Sequence, residues 1–226
     1  YYERARQYPT NHGYPEEVVS FDPDLILAGT FSTRITSKLL SDMGYRVEQF
    51  DHPTSINEIM HQILRLGDLL GRSAISEKIV ATMKTRLALL AADQPSRDPQ
   101  FSLLQYSPGG YTVGDETLVG EVMALSGWYN KAKDADILRS GQLGLEAMLL
   151  LQPLALIDSP LAPDSFSYSE SMLAHPVLEK VLSPRYSVKV NRLLWVCGGP
   201  MIVDAIIELR KQREKIERLE RGGHDE

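Results

Sequence analysis

The sequence predicts an α/β fold with two lobes, each built round a parallel sheet, bridged by one long helix. Three observations predict it. Helix and strand patterns alternate in both halves of the chain, and short unbroken apolar runs are typical of strands buried on both faces of a sheet. A long helix pattern with an apolar stripe separates the two halves.

The first half alternates helix and strand. Pro15 suits the first position of a helix, and the dipeptide Asp22-Pro23 ends that helix because the residue before a proline avoids the helical region. Gly44 is a natural C-terminal stop for a second, amphipathic helix. The predicted elements are a helix over 15–21, a strand over 25–28 buried on both faces, a helix over 32–43 and an alternating strand over 45–50.

Two helices follow in the middle of the chain. Ser55 and Glu58 have the spacing of a capping box, which predicts a helix beginning there and running to about Leu70. A longer helix is predicted from Ser73 or Ala74 to about Ala92. The polar segment 93–99 contains two prolines and marks a boundary.

The second half repeats the α/β pattern. Its last helix begins near Met201, and the second half of that helix, Arg210 to Arg221, alternates charge sign and is expected to lie mostly in water. The other predicted elements are strands over 101–106 and 154–157, strand-like segments within 188–196, and helices over 117–126, 144–151 and part of 170–182.

Composition excludes several classes of protein. The 226 residues carry 24 Lys and Arg against 30 Asp and Glu, a net charge of −6, which argues against a nucleic-acid-binding surface spread over the whole protein. The single cysteine, Cys197, excludes an internal disulfide framework and a multi-cysteine zinc site. No apolar run approaches the roughly 20 residues that span a bilayer, and residues 1–13 have no signal-peptide core.

The sequence contains no recognisable catalytic motif. The five histidines, His12, His52, His61, His175 and His224, show no helical metal-ligand spacing and none lies beside a nucleophile motif. We expect His61 at the surface and Cys197 to be a buried structural thiol. The loop 108–114 lacks the lysine of a phosphate-binding loop, and Gly198-Gly199-Pro200 is either a tight turn into the last helix or a polar-ligand site at its N-terminus.

Aromatic residues mark the predicted loops more clearly. In α/β folds ligands bind beyond the carboxyl ends of the strands, where loop aromatics make a flat apolar cleft. Taken singly, each aromatic favours core packing, whereas together they favour a binding cleft without catalytic groups. These aromatics are Phe31, Tyr106, Tyr111, Trp128, Tyr129 and Trp195.

Several segments together resemble the periplasmic binding proteins that serve ABC importers of ferric siderophores, heme and cobalamin. The stretch 16–28 resembles that family's helix-turn-strand, the pair of helices over 55–92 resembles its route into the inter-lobe helix, and 110–128 resembles the loop and helix of its second lobe. The stretch 194–200 resembles the family's final strand-to-helix turn. The motifs are individually loose, but their order and spacing are specific and cover nearly the whole chain.

The resemblance implies two Rossmann-like lobes and a ligand in the cleft between them. It implies an N-terminal lobe over 1–72 whose opening strands are missing, an inter-lobe helix over 73–94 and a C-terminal lobe over 95–226. It also implies a monomer outside the cytoplasm, periplasmic or anchored on the outer face of a membrane, that needs no cofactor, performs no reaction, binds no nucleic acid and docks on a membrane permease. The ligand is a metal chelate, a ferric siderophore or cobalamin. The expected contact residues are Phe31, Ser107, Tyr111, Trp128, Tyr129, Trp195 and Gly198.

Two alternatives remain open at this point. A protein that captures a bare zinc or manganese ion would need about three or four His, Asp or Glu ligands, and the histidines are scattered. The other alternative is an enzyme or a metal-cluster protein on a related two-lobe fold. A nitrogenase-like cluster protein would need several cysteine ligands, and this chain has one.

Overall fold

A computed structural model of the chain describes residues 2–30, 34–158, 187–195 and 198–222. They form two compact units, Tyr1–His52 and Pro53–Glu226, and each is described by itself. Within the described ranges, no helix combines the length and the apolar character needed to cross a bilayer. The predicted short helix within 170–182, Phe31, Cys197 and His175 lie outside the described residues.

The first unit pairs two parallel strands. Its elements are α1 (Tyr2–Ala5), α2 (Pro15–Ser20), β1 (Ile26–Gly29), α3 (Arg34–Asp42) and β2 (Val47–Phe50). Ile26 pairs with Val47 and Gly29 with Phe50. The prediction that this first strand is buried on both faces is wrong in this structure, because Leu27 is 48% exposed and β1 pairs, among the described residues, with β2 alone.

The second unit begins with a helical hairpin, α4 (Ile56–Leu69) and α5 (Ser73–Ala92). The predicted cap is confirmed: the Ser55 hydroxyl accepts the Glu58 backbone N–H at 3.2 Å, and the Glu58 carboxylate accepts the Thr54 N–H at 2.7 Å. The two helices lie close together at Gly67, where a β-carbon would stand 2.0 Å from the Ser76 hydroxyl. The second compact unit, which contains both helices, starts at Pro53, whereas the lobe boundary expected from sequence lies after residue 72.

The remaining elements of this unit surround a parallel sheet. In chain order they are β3 (Ser102–Gln105), β4 (Tyr111–Val113), α6 (Leu118–Leu125), β5 (Tyr129–Asn130), β6 (Ser140–Gln142), α7 (Leu145–Leu151), β7 (Ala155–Asp158), β8 (Ser187–Lys189) and α8 (Ile202–Gly222). The sheet has the order β5-β3-β7-β8, and every pair in it is parallel. The strands β4 and β6 form a separate antiparallel pair. The α/β class predicted from sequence is confirmed.

The core lies on both faces of this sheet. Leu103 and Leu104 are neighbours on β3 and point to opposite faces, yet both have no exposed surface. Leu103 belongs to the larger apolar cluster, with Trp128 and Ile206, and Leu104 belongs to a smaller cluster with Tyr106 and Met148. Burial on both sides explains why two adjacent leucines, rather than an alternating pattern, stand at the centre of this strand.

Helix α8 is more deeply buried than its charge pattern predicts. Arg210 is 7% exposed and Arg213 is 3% exposed, so the expectation that the segment 210–221 lies mostly in water is wrong for these two side chains. The Arg210 guanidinium donates to the carbonyls of Asp93 and Leu125, and that of Arg213 lies 4.5 Å from the centre of the Phe101 ring. Backbone carbonyls, an aromatic face and, for Arg213, the Glu217 carboxylate at 2.9 Å replace water as partners of these cations.

Candidate functional site

The carboxyl ends of the four parallel strands meet at one edge of the sheet, the place where ligands bind in α/β folds. The described chain at this edge includes residues 106–111, which follow β3, residues 131–135, which follow β5, and residues 190–195 and 198–201, which follow β8. We call these residues the carboxyl edge.

The loop after β3 is a tightly hydrogen-bonded turn. The Ser107 N–H donates to the Tyr111 carbonyl at 2.8 Å, and the Gly110 N–H donates to the Ser107 carbonyl at 3.0 Å. Two hydrogen bonds with Leu143 hold the turn in place. The Leu143 N–H donates to the Gly110 carbonyl at 2.7 Å, and the Leu143 carbonyl accepts the Tyr106 hydroxyl at 3.1 Å. The turn is therefore preorganised, and it leaves the Tyr111 side chain 45% exposed.

Gly110 is required in this turn for two reasons. Its φ is +76°, and a β-carbon there would lie 2.3 Å from the Leu143 carbonyl oxygen. We expect Gly110→Ala to lower the free energy of unfolding by about 2–3 kcal/mol, because it combines left-handed strain with a backbone clash. Urea denaturation followed by circular dichroism measures this loss.

Gly109→Ala is the matched control. Gly109 has a φ of +77° but nothing within 4 Å of its β-carbon position, so its substitution introduces strain alone. We expect a loss of about 1 kcal/mol. Equal losses in the two variants would contradict the importance of the Leu143 contact.

The segment after β8 brings apolar side chains to the same edge. A 3-10 helix, Arg192–Leu194, begins after Asn191, whose side-chain oxygen accepts the Leu193 N–H at 3.0 Å. Leu193 is 72% exposed and Met201 is 41% exposed. Sequence reasoning missed both, because it searched the loops for aromatics and glycines; their signal is a large apolar residue in the connection between the last strand and α8.

Gly198 lies at this edge as predicted, and its environment explains the glycine. A β-carbon there would be 2.4 Å from the ring Cγ of Pro53 and 3.3 Å from the Cγ1 of Ile59. Trp195 is also in the segment after β8, but only 6% of it is exposed and it packs in the larger core cluster.

Trp128 does not lie at the carboxyl edge. It directly precedes β5, and a residue that precedes a parallel strand stands at the amino edge; its neighbour Tyr129 accordingly pairs with Ser102, the first residue of β3. Trp128 has no exposed surface, and its indole N–H donates to the Leu209 carbonyl at 3.1 Å. The structure thus gives Trp128 no surface for a ligand to contact, which corrects its sequence-based placement in the cleft.

Tyr129 is tied into a polar cluster on the edge strand β5. Its hydroxyl donates to the Asp134 carboxylate at 2.5 Å, and Lys131 pairs with the same carboxylate at 2.7 Å. The hydrogen bond to Asp134 raises the pKa of Tyr129 to about 12, and the bonds from Lys131 and then Tyr129 lower the pKa of Asp134. The hydroxyl of Tyr129 is thus engaged within the chain, as a donor to Asp134.

Among the described residues, no group of three or more His, Cys, Asp or Glu side chains is arranged to hold a metal ion. His61 is exposed on α4, as expected from sequence. His12 lies in the first unit, where its ring contacts the Glu17 carboxylate at 3.1 Å. The described carboxyl edge exposes the large apolar side chains of Tyr111, Leu193 and Met201, which suit contact with a ligand that has apolar surface.

Comparisons with known proteins agree with this description. No protein-family model matches the chain. A stretch of 162 residues is 30% identical to a cobalamin-binding protein of Halobacterium salinarum (strain ATCC 29341 / DSM 671 / R1), covering 71% of this chain and 44% of that protein. A second strain of that organism has a match of the same extent. The chain spans less than half the length of these curated relatives.

Three solved structures have the same fold. The periplasmic heme-binding protein RhuT from Roseiflexus sp. RS-1 matches with a TM-score of 0.73 and 19% identity over 88% of this chain and 80% of that one. A possible iron-binding, periplasmic solute-binding protein from Staphylococcus epidermidis matches with a TM-score of 0.70 and 20% identity over 88% and 79%. The periplasmic vitamin B12 binding protein BtuF of Vibrio cholerae matches with a TM-score of 0.63 and 18% identity over 89% and 78%.

The resemblance inferred from sequence is confirmed by these findings. The chain has the α/β fold of periplasmic solute-binding proteins, and its relatives are named as binding proteins rather than enzymes.

Proposed function

We propose that this chain is the solute-binding component of an ABC importer, which captures a metal chelate and delivers it to a membrane permease. The observation that carries the proposal is the 30% identity over 162 residues to a cobalamin-binding protein, supported by the fold shared with periplasmic heme- and vitamin B12-binding proteins. The proposal includes an extracytoplasmic location, periplasmic or on the outer face of a membrane, and a monomeric protein.

Cobalamin is the first ligand to test, and a ferric siderophore is the second. The exposed large apolar side chains of the described carboxyl edge are Tyr111, Leu193 and Met201, which suit the apolar flank of a macrocycle. Ser107 is half-buried in the turn that carries Tyr111, and Gly198 is exposed although Pro53 covers the position of its β-carbon. Phe31 remains a proposed contact that lies outside the described residues.

A titration with three probes tests this function. Cyanocobalamin, a ferric hydroxamate siderophore and hemin are each added to the protein, and heat release and tryptophan fluorescence are recorded. We expect saturable binding of one probe, with thermal stabilisation of about 2.7 kcal/mol at about a hundredfold excess over Kd. Failure of the full-length protein to bind any of the three would overturn the proposal, and tight binding of zinc or manganese ions instead would favour a bare-metal carrier.

Tyr111→Ala tests the contact surface. The substitution removes an exposed aromatic face from a turn that is held by backbone hydrogen bonds, so the fold should remain intact. We expect Kd for the bound probe to rise about five- to thirtyfold, the loss of about 1–2 kcal/mol typical of one stacked ring. Calorimetric titration of the variant and the parent protein provides the measurement.

Leu150→Ala is the control for this variant. Leu150 is 84% exposed on α7, and its truncation also removes apolar surface from the second unit. We expect its Kd to match that of the parent protein. An unchanged Kd in Tyr111→Ala would remove Tyr111 from the site.

A further inference from the structure

The first turn of α4 is held by a side chain from a distant part of the chain. The backbone N–H of Ile56 donates to the Glu121 carboxylate at 2.7 Å, across 65 residues of sequence. Ile56 is the first residue of α4, and an N–H at that position has no partner within its own helix. A carboxylate there also meets the positive end of the helix dipole. Glu121 of α6 thus provides an acceptor for an N–H at the start of α4. The Ser55 and Glu58 side chains accept only from other N–H groups there.

The bond lies beside a groove of about 350 Å³, which is bounded by α4, α5, α6 and α8. Ile56, Met60 and Glu121 line it, together with Leu87, Leu125 and Ile206. Ile56 is 2% exposed and belongs to the larger core cluster, so its core contacts and the hydrogen bond to Glu121 together fix the first turn.

The same turn leads back to the carboxyl edge. Pro53 stands three residues before Ile56, and its ring occupies the space that a β-carbon on Gly198 would need, with Ile59 of the same helix close behind. Gly198 opens the short segment that enters α8, and Met201 on that segment is exposed. A shift of the first turn of α4 would therefore move Pro53 against Gly198 and change the backbone beside the proposed ligand.

We propose that Glu121 is a positioning residue for the carboxyl edge. Its hydrogen bond to Ile56 fixes the first turn of α4, and the Pro53 ring, which packs against Gly198, in turn fixes the backbone at Gly198. Its effect on ligand affinity rests on the proposed binding function, whereas its effect on the ligand-free protein does not. In this proposal Glu121 acts through Ile56 and not by contact with the ligand.

The test compares Glu121→Ala with Glu121→Gln in the ligand-free protein. The alanine removes the acceptor, whereas the glutamine side-chain oxygen can still accept the Ile56 N–H. In Glu121→Ala we expect amide hydrogen exchange at Ile56 to accelerate about tenfold or more, the consequence of losing a hydrogen bond to a charged group. We also expect the backbone amide resonances of Gly198 and Gly199 to shift, and Glu121→Gln to restore both readouts in part.

Glu146→Ala is the matched control. Glu146 is an exposed glutamate in the first turn of α7 and should leave Ile56, Gly198 and Gly199 unchanged. Faster exchange at Ile56 with unmoved Gly198 and Gly199 resonances would overturn the coupling, and so would equal effects of the alanine and glutamine variants. If the parent protein binds one of the probes, the Kd of Glu121→Ala should rise at least threefold and that of Glu121→Gln less. If the parent protein binds none, the proposed function fails, and the ligand-free readouts still decide the role of Glu121.

Discussion

Replacing Trp128 with alanine is expected to lower the free energy of unfolding by about 3–5 kcal/mol, as is typical of truncating a fully buried aromatic side chain. Trp128 is the largest side chain without exposed surface in the described protein, and it packs between the sheet and α8 in the larger core cluster. Its loss also leaves the Leu209 carbonyl without the indole donor.

Guanidinium denaturation followed by circular dichroism measures the loss in the free energy of unfolding. The control is Leu150→Ala, which truncates an exposed side chain and should change stability by less than about 0.5 kcal/mol.

Trp128→Phe separates a structural role from a ligand-binding one. The phenyl ring retains most of the packing and loses the N–H, so we expect a smaller loss of about 1–3 kcal/mol. The chain has two tryptophans, so this variant leaves Trp195 as the single indole reporter near the carboxyl edge. Its Kd for the bound probe should equal that of the parent protein. A Kd raised tenfold at unchanged stability would return Trp128 to the ligand site.

The wrong prediction that Trp128 lies in the ligand cleft shows what the sequence cannot predict. Tryptophan after a helix end predicts a loop aromatic, and that local description is correct. Which edge of the sheet the loop occupies depends on whether it precedes or follows a strand, and β5 has only two residues, too few to give an alternating pattern. The pairing of Tyr129 with Ser102 settles the edge, and pairing is a long-range property that no local pattern contains.

Local signals were sufficient elsewhere. The Ser55 cap of α4, the Pro15 start of α2 and the left-handed Gly44 after α3 each depend on neighbours within a few residues, and the structure shows all three. The turn that carries Ser107 and Tyr111 was also located, because a strand followed by a proline-glycine turn has a clear local pattern. Leu193 and Met201 were missed because exposure of an apolar side chain depends on the fold around it.

Buried arginines are a second limit of the same kind. A helix with alternating charges has the same sequence pattern whether its arginines face water or protein, so the pattern does not distinguish the two. Arg213 has one local partner, the Glu217 carboxylate on its own helix. The other partners of the two arginines include backbone carbonyls of other segments, 117 residues away in the case of Asp93 and Ser96, and every residue has such a carbonyl. Only the fold decides which carbonyls lie within reach.

Arg210 joins the ends of two helices. Its guanidinium donates to the Asp93 carbonyl at 3.1 Å, just beyond the end of α5, and to the Leu125 carbonyl at 2.9 Å, at the end of α6. Helix C-termini carry unpaired carbonyls and a partial negative charge, so a buried cation placed between two of them satisfies both.

Arg210→Met should therefore lower the free energy of unfolding by about 3–5 kcal/mol, because it leaves two carbonyls buried without their charged donor while nearly conserving volume. The opposite outcome has a physical basis, since burying a cation carries a desolvation cost and apolar replacement of buried charges is sometimes stabilising. We expect destabilisation here because the partners of Arg210 are backbone carbonyls. They stay buried in every variant, whereas a side-chain partner could be replaced together with the arginine. Urea denaturation of Arg210→Met, Arg210→Lys and the exposed Arg218→Met on the same helix distinguishes the cases. We expect an intermediate loss for lysine, which keeps the charge without the fork of two donors, and less than about 0.5 kcal/mol for Arg218→Met. A methionine variant as stable as the parent protein would mean that water satisfies both helix ends and that Arg210 contributes little to joining α5, α6 and α8.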